Sequence, residues 1–104
     1  MRISFDFDGV LSTAAGQRLA SEKISQGNEV WILTARQSEH RDAVDAVAEK
    51  LGIPKSHIKF TNGEDKWKYV KEYNIDQHYD NNVEQITKIN ANTPSKGTWY
   101  NPKK

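Results

Sequence analysis

The sequence predicts a single α/β domain built on a parallel sheet. Three observations point there. Short strand-like runs alternate with stretches of helical period along the whole chain. The run Val30-Trp-Ile-Leu33 is continuously apolar, the mark of a strand covered on both faces. The length, 104 residues, suffices for one modest core and no second lobe.

Each element follows from local pattern. Ile3 to Phe7 reads as the first strand. Ala14 to Gln26 reads as a helix, with Ala15, Leu19, Ala20 and Ile24 at helical spacing and Gly27 as its stop. Glu29 to Leu33 is the second strand. Ser38 is placed to cap a second helix, whose positive end Glu39 and Asp42 favour. Val44, Val47, Ala48 and Leu51 line one face of that helix before Gly52 and Pro54 end it. His57 to Phe60 is a third strand, and Asn62-Gly63 a turn. Asp65 to Tyr73 reads as a third helix with Trp67, Val70 and Tyr73 on one side, and Ile75 to Tyr79 as a fourth strand. Val83, Ile86 and Ile89 mark a short fourth helix. The tail, 93–104, reads as an edge strand at Thr98-Trp99-Tyr100 or as a flexible end. There is no repeat or low-complexity block, so the domain is taken as 1–104.

Composition narrows the function. Fifteen basic residues against fourteen acidic ones leave a formal charge of +1, which gives no bulk attraction for nucleic acid or membrane. The chain has no cysteine, hence no disulfide and no thiolate chemistry. No apolar run approaches the roughly 20 residues that span a bilayer, and Met1-Arg2 runs into a strand rather than a secretory pattern. The expectation is a soluble, cytoplasmic protein.

The chemistry lies at the ends of the strands. Parallel α/β sheets gather ligands at the carboxyl ends of their strands. Here Asp6 and Asp8 follow the first, Thr34, Ala35 and Arg36 the second, and Asp80, Asn81 and Asn82 the fourth, while Lys66 precedes the third helix. Residues i and i+2 of a strand share a side, so Asp6 and Asp8 are expected to point together, with Gly9 allowing the chain to turn. Clustered carboxylates repel unless a cation or proton is shared, which asks for a divalent metal. An aspartate can attack phosphorus, and a second can move the proton of the leaving group and of water. A threonine hydroxyl and a lysine ammonium can hold phosphoryl oxygens, with the amides after Thr34 adding an anion-binding helix N-terminus.

These segments resemble the motifs of the haloacid dehalogenase (HAD) superfamily. Asp6-Phe-Asp8-Gly-Val-Leu is similar to its first motif, Trp31-Ile-Leu-Thr34-Ala-Arg36 to its second, Lys66 to the third-motif lysine, and Tyr79-Asp80-Asn81-Asn82 to its acidic fourth motif. The resemblance runs in order from about residue 2 to residue 83. It implies a Rossmann-like three-layer sheet in the order 3-2-1-4-5 and a magnesium-dependent phosphohydrolase that forms an aspartyl-phosphate. Asp6 becomes nucleophile and magnesium ligand, and Asp8 general acid/base with its backbone carbonyl on the metal. Thr34 and Lys66 become phosphate binders, and Asp80 the remaining metal ligand. Ala35 and Arg36 become substrate contacts, as in small nucleotidase-like members.

The chain departs from the family pattern in two ways. Asn81 stands where a second acid is common, which lowers the site's negative charge. The gaps between motifs hold no cap domain, and Leu11 to Gly16 is short for the usual flap. An open site of this kind goes with bulky substrates, such as nucleic-acid or protein phosphates, or with a cap from a partner subunit. The rival reading is a HAD-fold binding or adaptor module with weak or no catalysis. A response-regulator-like receiver fits less well, because its phosphorylated aspartate follows the third strand, which here ends Phe60-Thr61-Asn62. Lys68 competes with Lys66, which is preferred for its place at the helix start. His40, His57 and His78 show no ligand spacing and read as surface or strand residues. Trp31 and Trp67 read as core. Trp99-Tyr100 with Lys103-Lys104 reads as a tail packed on the last helix or as a base-stacking patch.

Overall fold

A computed structural model describes residues 1–102. Its strands are β1 (Arg2–Phe5), β2 (Glu29–Thr34), β3 (Ile58–Phe60), β4 (Gln77–Asp80) and β5 (Lys96–Trp99), and its helices α1 (Ala14–Ser25), α2 (Asp42–Leu51), α3 (Trp67–Glu72) and α4 (Val83–Asn92). The strands form one five-stranded sheet in the order β3-β2-β1-β4-β5, parallel at every pairing. The expected α/β class and strand order are both present. No helix among the described residues is long and apolar enough to cross a membrane.

The sheet separates two apolar layers. Ile3 and Phe5 of β1 and Val30 and Ile32 of β2 pack with Ala20 of α1 and with Val44 and Ala48 of α2. Trp31 and Leu33, alternate residues of β2, face the other way and pack with Val70 of α3 and Ile89 of α4. This explains the unbroken apolar run of β2: both of its faces are covered. Trp31 and Trp67 both belong to the second layer, as expected of core residues.

Several boundaries differ from the sequence reading. β1 stops at Phe5 rather than Phe7, because the chain breaks into a tight irregular turn over Phe7–Leu11. Ser38 does not cap α2; it opens a single 3₁₀ turn, Ser38–His40, and α2 begins at Asp42 after Arg41. Consequently no helix N-terminus follows Thr34 directly. α3 is shorter than expected because 61–66 form a loop folded back on β2, with the Thr61 amide donating to the Thr34 carbonyl at 2.8 Å. β4 starts two residues late and gains Asp80. The tail does form an edge strand, shifted to Lys96–Trp99. Tyr100 leaves it to meet Tyr79 edge-on, with ring centroids 6.0 Å apart. Lys103 and Lys104, half of the stacking patch considered above, lie outside the described residues.

Phe5 carries the first aspartate into place. It is fully buried and stacks on Tyr79 of β4 at 5.0 Å between ring centroids. Truncating a buried phenylalanine leaves a cavity and typically lowers stability by about 3–5 kcal/mol. Phe5→Ala is expected to lose that amount in urea unfolding at unchanged slope; a loss below about 1 kcal/mol would contradict the assigned packing.

Candidate functional site

Register brings the two key aspartates level. Phe5 of β1 pairs with Tyr79 of β4, so Asp6 and Asp80, the next residue on each strand, meet at the carboxyl edge of the sheet. The Asp6 amide donates to the Tyr79 carbonyl at 2.9 Å, extending the ladder one step past the strand. Both carboxyl groups are buried, Asp80 completely.

Lys66 lies between them. Its Nζ donates to Asp6 Oδ1 and to Asp80 Oδ2, each at 2.7 Å, across 60 and 14 residues of sequence. Lys66 is itself only 3 % exposed. Its backbone is fixed as well, since its amide donates to Gln85 Oε1 of α4 at 3.0 Å while the Gln85 amide group reaches Asp65. Lys68, the competing lysine, is exposed. Lys66 is thus the lysine in contact with both aspartates.

One ammonium between two carboxylates leaves the cluster a negative charge in excess when all three groups are ionised. Its members respond unequally. Burial pushes the Asp6 carboxyl up to about 6, with Lys66 opposing and the charge on Asp80 adding to the rise. Burial also acts upward on Asp80, but His78 and Lys66 outweigh it and hold this carboxyl at about 2. Asp80 Oδ1 accepts from the Asn82 amide at 3.0 Å, and Asn82 in turn caps α4 by accepting from the amides of Glu84 and Gln85.

Asp8 does not point with Asp6. Asp6, whose backbone is still extended, closes the strand alternation, and in the turn that follows Phe7 is buried while Asp8 is exposed. The Asp8 carboxylate is held by Arg36, whose Nε and Nη2 donate at 3.0 and 2.9 Å. These bonds keep its carboxyl below the ordinary range. Arg36 also donates to the His40 carbonyl and lies 4.9 Å above the Phe7 ring. Gly9, at φ 80°, permits this turn, and a Cβ there would stand 2.3 Å from Asn81 Nδ2. The turn is thus packed against Asn81.

Thr34 is fully buried at the end of β2, where its hydroxyl oxygen accepts from the Arg36 amide at 3.2 Å. Ala35 is exposed, and its carbonyl accepts from the Gly63 amide. The structure thus joins Asp6 and Asp80 through Lys66 and pairs Asp8 with Arg36. A hollow of about 290 Å³ borders Arg36 and is lined also by Glu39, His40, Asp42 and Ala43. A hollow of about 370 Å³ between α1 and α2, lined by Gln17, Arg18 and Lys50 among others, holds no strand-end residue.

Sequence reasoning missed His78 and Ser4. His78 is completely buried and contacts Asp80, and Ser4 contacts His78. The signal was present: Ser4-x-Asp6 and His78-x-Asp80 are polar pairs with strand spacing, each sharing one face.

As a cation site, the described residues offer two buried carboxylates, Asp6 and Asp80, and no set of three or more His, Cys, Asp or Glu side chains. Magnesium is commonly held by one or two carboxylates together with waters and substrate phosphate oxygens. The hard oxygen donors and the excess negative charge of the cluster fit that ion. Comparison of the sequence with protein-family models and with curated proteins finds no match.

Removing one member of a buried ion pair typically lowers stability by about 3–5 kcal/mol, because the other charge stays buried. Lys66→Met is expected to do so near neutral pH. A carboxyl raised by folding adds stability that is full below its unfolded value, here 3.8, and is lost as pH rises through its folded value, about 6 for Asp6 even with Lys66 present. Without Lys66 that folded value climbs further. The difference between Lys66→Met and wild type, followed by urea unfolding, is therefore expected to be larger at pH 7 than at pH 5. A difference independent of pH would contradict the buried cluster.

Proposed function

We propose that this protein is a magnesium-dependent phosphohydrolase of the HAD type, working through a phosphorylated Asp6. One observation carries the reading. Lys66 contacts both Asp6 and Asp80, which come from distant parts of the chain, at the carboxyl edge of a parallel sheet. The motif resemblance and the strand order support it.

The chain's own residues suffice to describe the reaction. An Asp6 carboxylate oxygen attacks phosphorus, and the bond from phosphorus to the leaving oxygen breaks. Asp8, once freed from Arg36 and protonated from solvent, donates the proton that the leaving oxygen needs, then takes one from the water that attacks the aspartyl-phosphate, which restores Asp6 and the protonated Asp8. Lys66 and the Thr34 hydroxyl hold the phosphoryl oxygens and offset their charge. Magnesium, held by Asp6 and Asp80, would shield the repulsion between the carboxylates and the phosphoryl group. Arg36 must release Asp8 before Asp8 can act, and a phosphate ester arriving beside Arg36 offers the guanidinium another anion. Arg36 is then a substrate contact after its release.

The Arg36–Asp8 pair also favours a second reading, a module that binds phosphate ligands without hydrolysing them, since the general acid is engaged elsewhere. Magnesium-dependent release of phosphate from a panel of nucleotides, sugar phosphates, phosphopeptides and phosphorylated DNA ends separates the two. The wild-type protein is expected to turn over at least one class. Asp6→Asn, which keeps the shape of the side chain, is expected to lose at least about 10³-fold in kcat while still folding, as a cooperative thermal unfolding transition would show. Full activity in that variant would overturn the assignment, and ligand retention without turnover in wild type would favour the binding module.

A further inference from the structure

The buried polar line continues beyond Asp80. His78 lies two residues before it on β4 and on the same face, with Nε2 at 2.8 Å from Asp80 Oδ2. Its other nitrogen, Nδ1, is 2.7 Å from the hydroxyl of Ser4, its register partner on β1. Ser4, His78 and Asp80 are all fully buried. An ionised Asp80 can only accept, so Nε2 carries the imidazole proton and Nδ1 accepts from the Ser4 hydroxyl. Asp80 therefore sets the tautomer, and Ser4 supports it by donating to the nitrogen left without a proton. The second oxygen of Asp80 is held independently by the Asn82 amide.

Asp80 is thus fastened at both oxygens by groups outside the ion cluster. We propose that Ser4 and His78 form a positioning pair for Asp80, holding its carboxylate plane so that it can bind a divalent cation when Lys66 turns to a phosphate ester. This rests on the reading of Asp80 as a cation ligand. An imidazole that donates to a metal-binding carboxylate acts from outside the ligand set, and removing such a partner typically weakens metal affinity about 10- to 100-fold. A pair that served stability alone would leave the affinity of the folded protein unchanged.

The test is magnesium affinity of the whole chain by titration calorimetry, with folding checked by thermal unfolding. Four proteins are compared: wild type, His78→Gln, His78→Leu and Ser4→Ala. Glutamine keeps a donor toward Asp80, whereas leucine fills similar space without one. His78→Leu is expected to bind magnesium about 10- to 100-fold more weakly, and His78→Gln to retain most of the affinity. Ser4→Ala is expected to fall between them. Wild type that binds no magnesium would overturn the proposed function, and this inference with it. Wild type that binds, with His78→Leu binding equally well or His78→Gln no better than His78→Leu, would overturn the positioning role alone. Should His78→Leu fail to fold, Ser4→Ala decides: weakened binding supports the pair and unchanged binding overturns it.

Discussion

The Lys66 ammonium between Asp6 and Asp80 is the interaction on which the rest depends. Two carboxylates level with each other on adjacent strands could not both be buried and ionised without a cation nearby. The fold supplies one from the loop before α3. That loop is held from two sides, by Thr61 against the end of β2 and by Gln85 of α4 against the Lys66 backbone. The strand order serves the same end, since β1 is central and β4 is its direct neighbour. The cluster is therefore an outcome of topology, register and one long side chain acting together.

The same cluster is chemically asymmetric. Asp80 is held ionised by His78 and Lys66, whereas burial drives Asp6 toward its protonated form. A site with one firmly anionic carboxylate and one that ionises near neutrality favours binding positive charge beside the second. Asp8 stands apart from both. It is exposed and paired with Arg36, which divides the candidate site into a buried charged floor and a solvent-facing ion pair. The Arg36–Asp8 pair lies on the solvent side of that floor.

Much of this was legible in the sequence, for identifiable reasons. Alternating elements and the apolar run of β2 indicated a parallel sheet, and placing the strand ends together located Asp6, Lys66 and Asp80. What misled was the assumption that β1 runs on through Phe7. The chain turns after Asp6, so the i, i+2 rule fails between Asp6 and Asp8, and nothing in Phe-Asp-Phe-Asp-Gly marks where alternation stops. His78 was read as an ordinary strand residue because its partners, Ser4 and Asp80, become meaningful only once β1 and β4 are known to pair in register. Ser38 with Glu39 and Asp42 carries helix-start chemistry, but Ser38 and Glu39 are here used by a single 3₁₀ turn.

The central claim is that Asp6 is a buried carboxyl in a cluster short of positive charge, ready for a divalent cation. Carbon-13 NMR titration of the aspartate carboxyl groups, with and without saturating magnesium, tests this most directly. Asp6 is expected to titrate near pH 6 in the absence of magnesium and to move well below that when magnesium is added, since an opposite charge favours the ionised form. An Asp6 that titrates near the ordinary value of 3.8 and ignores magnesium would contradict it.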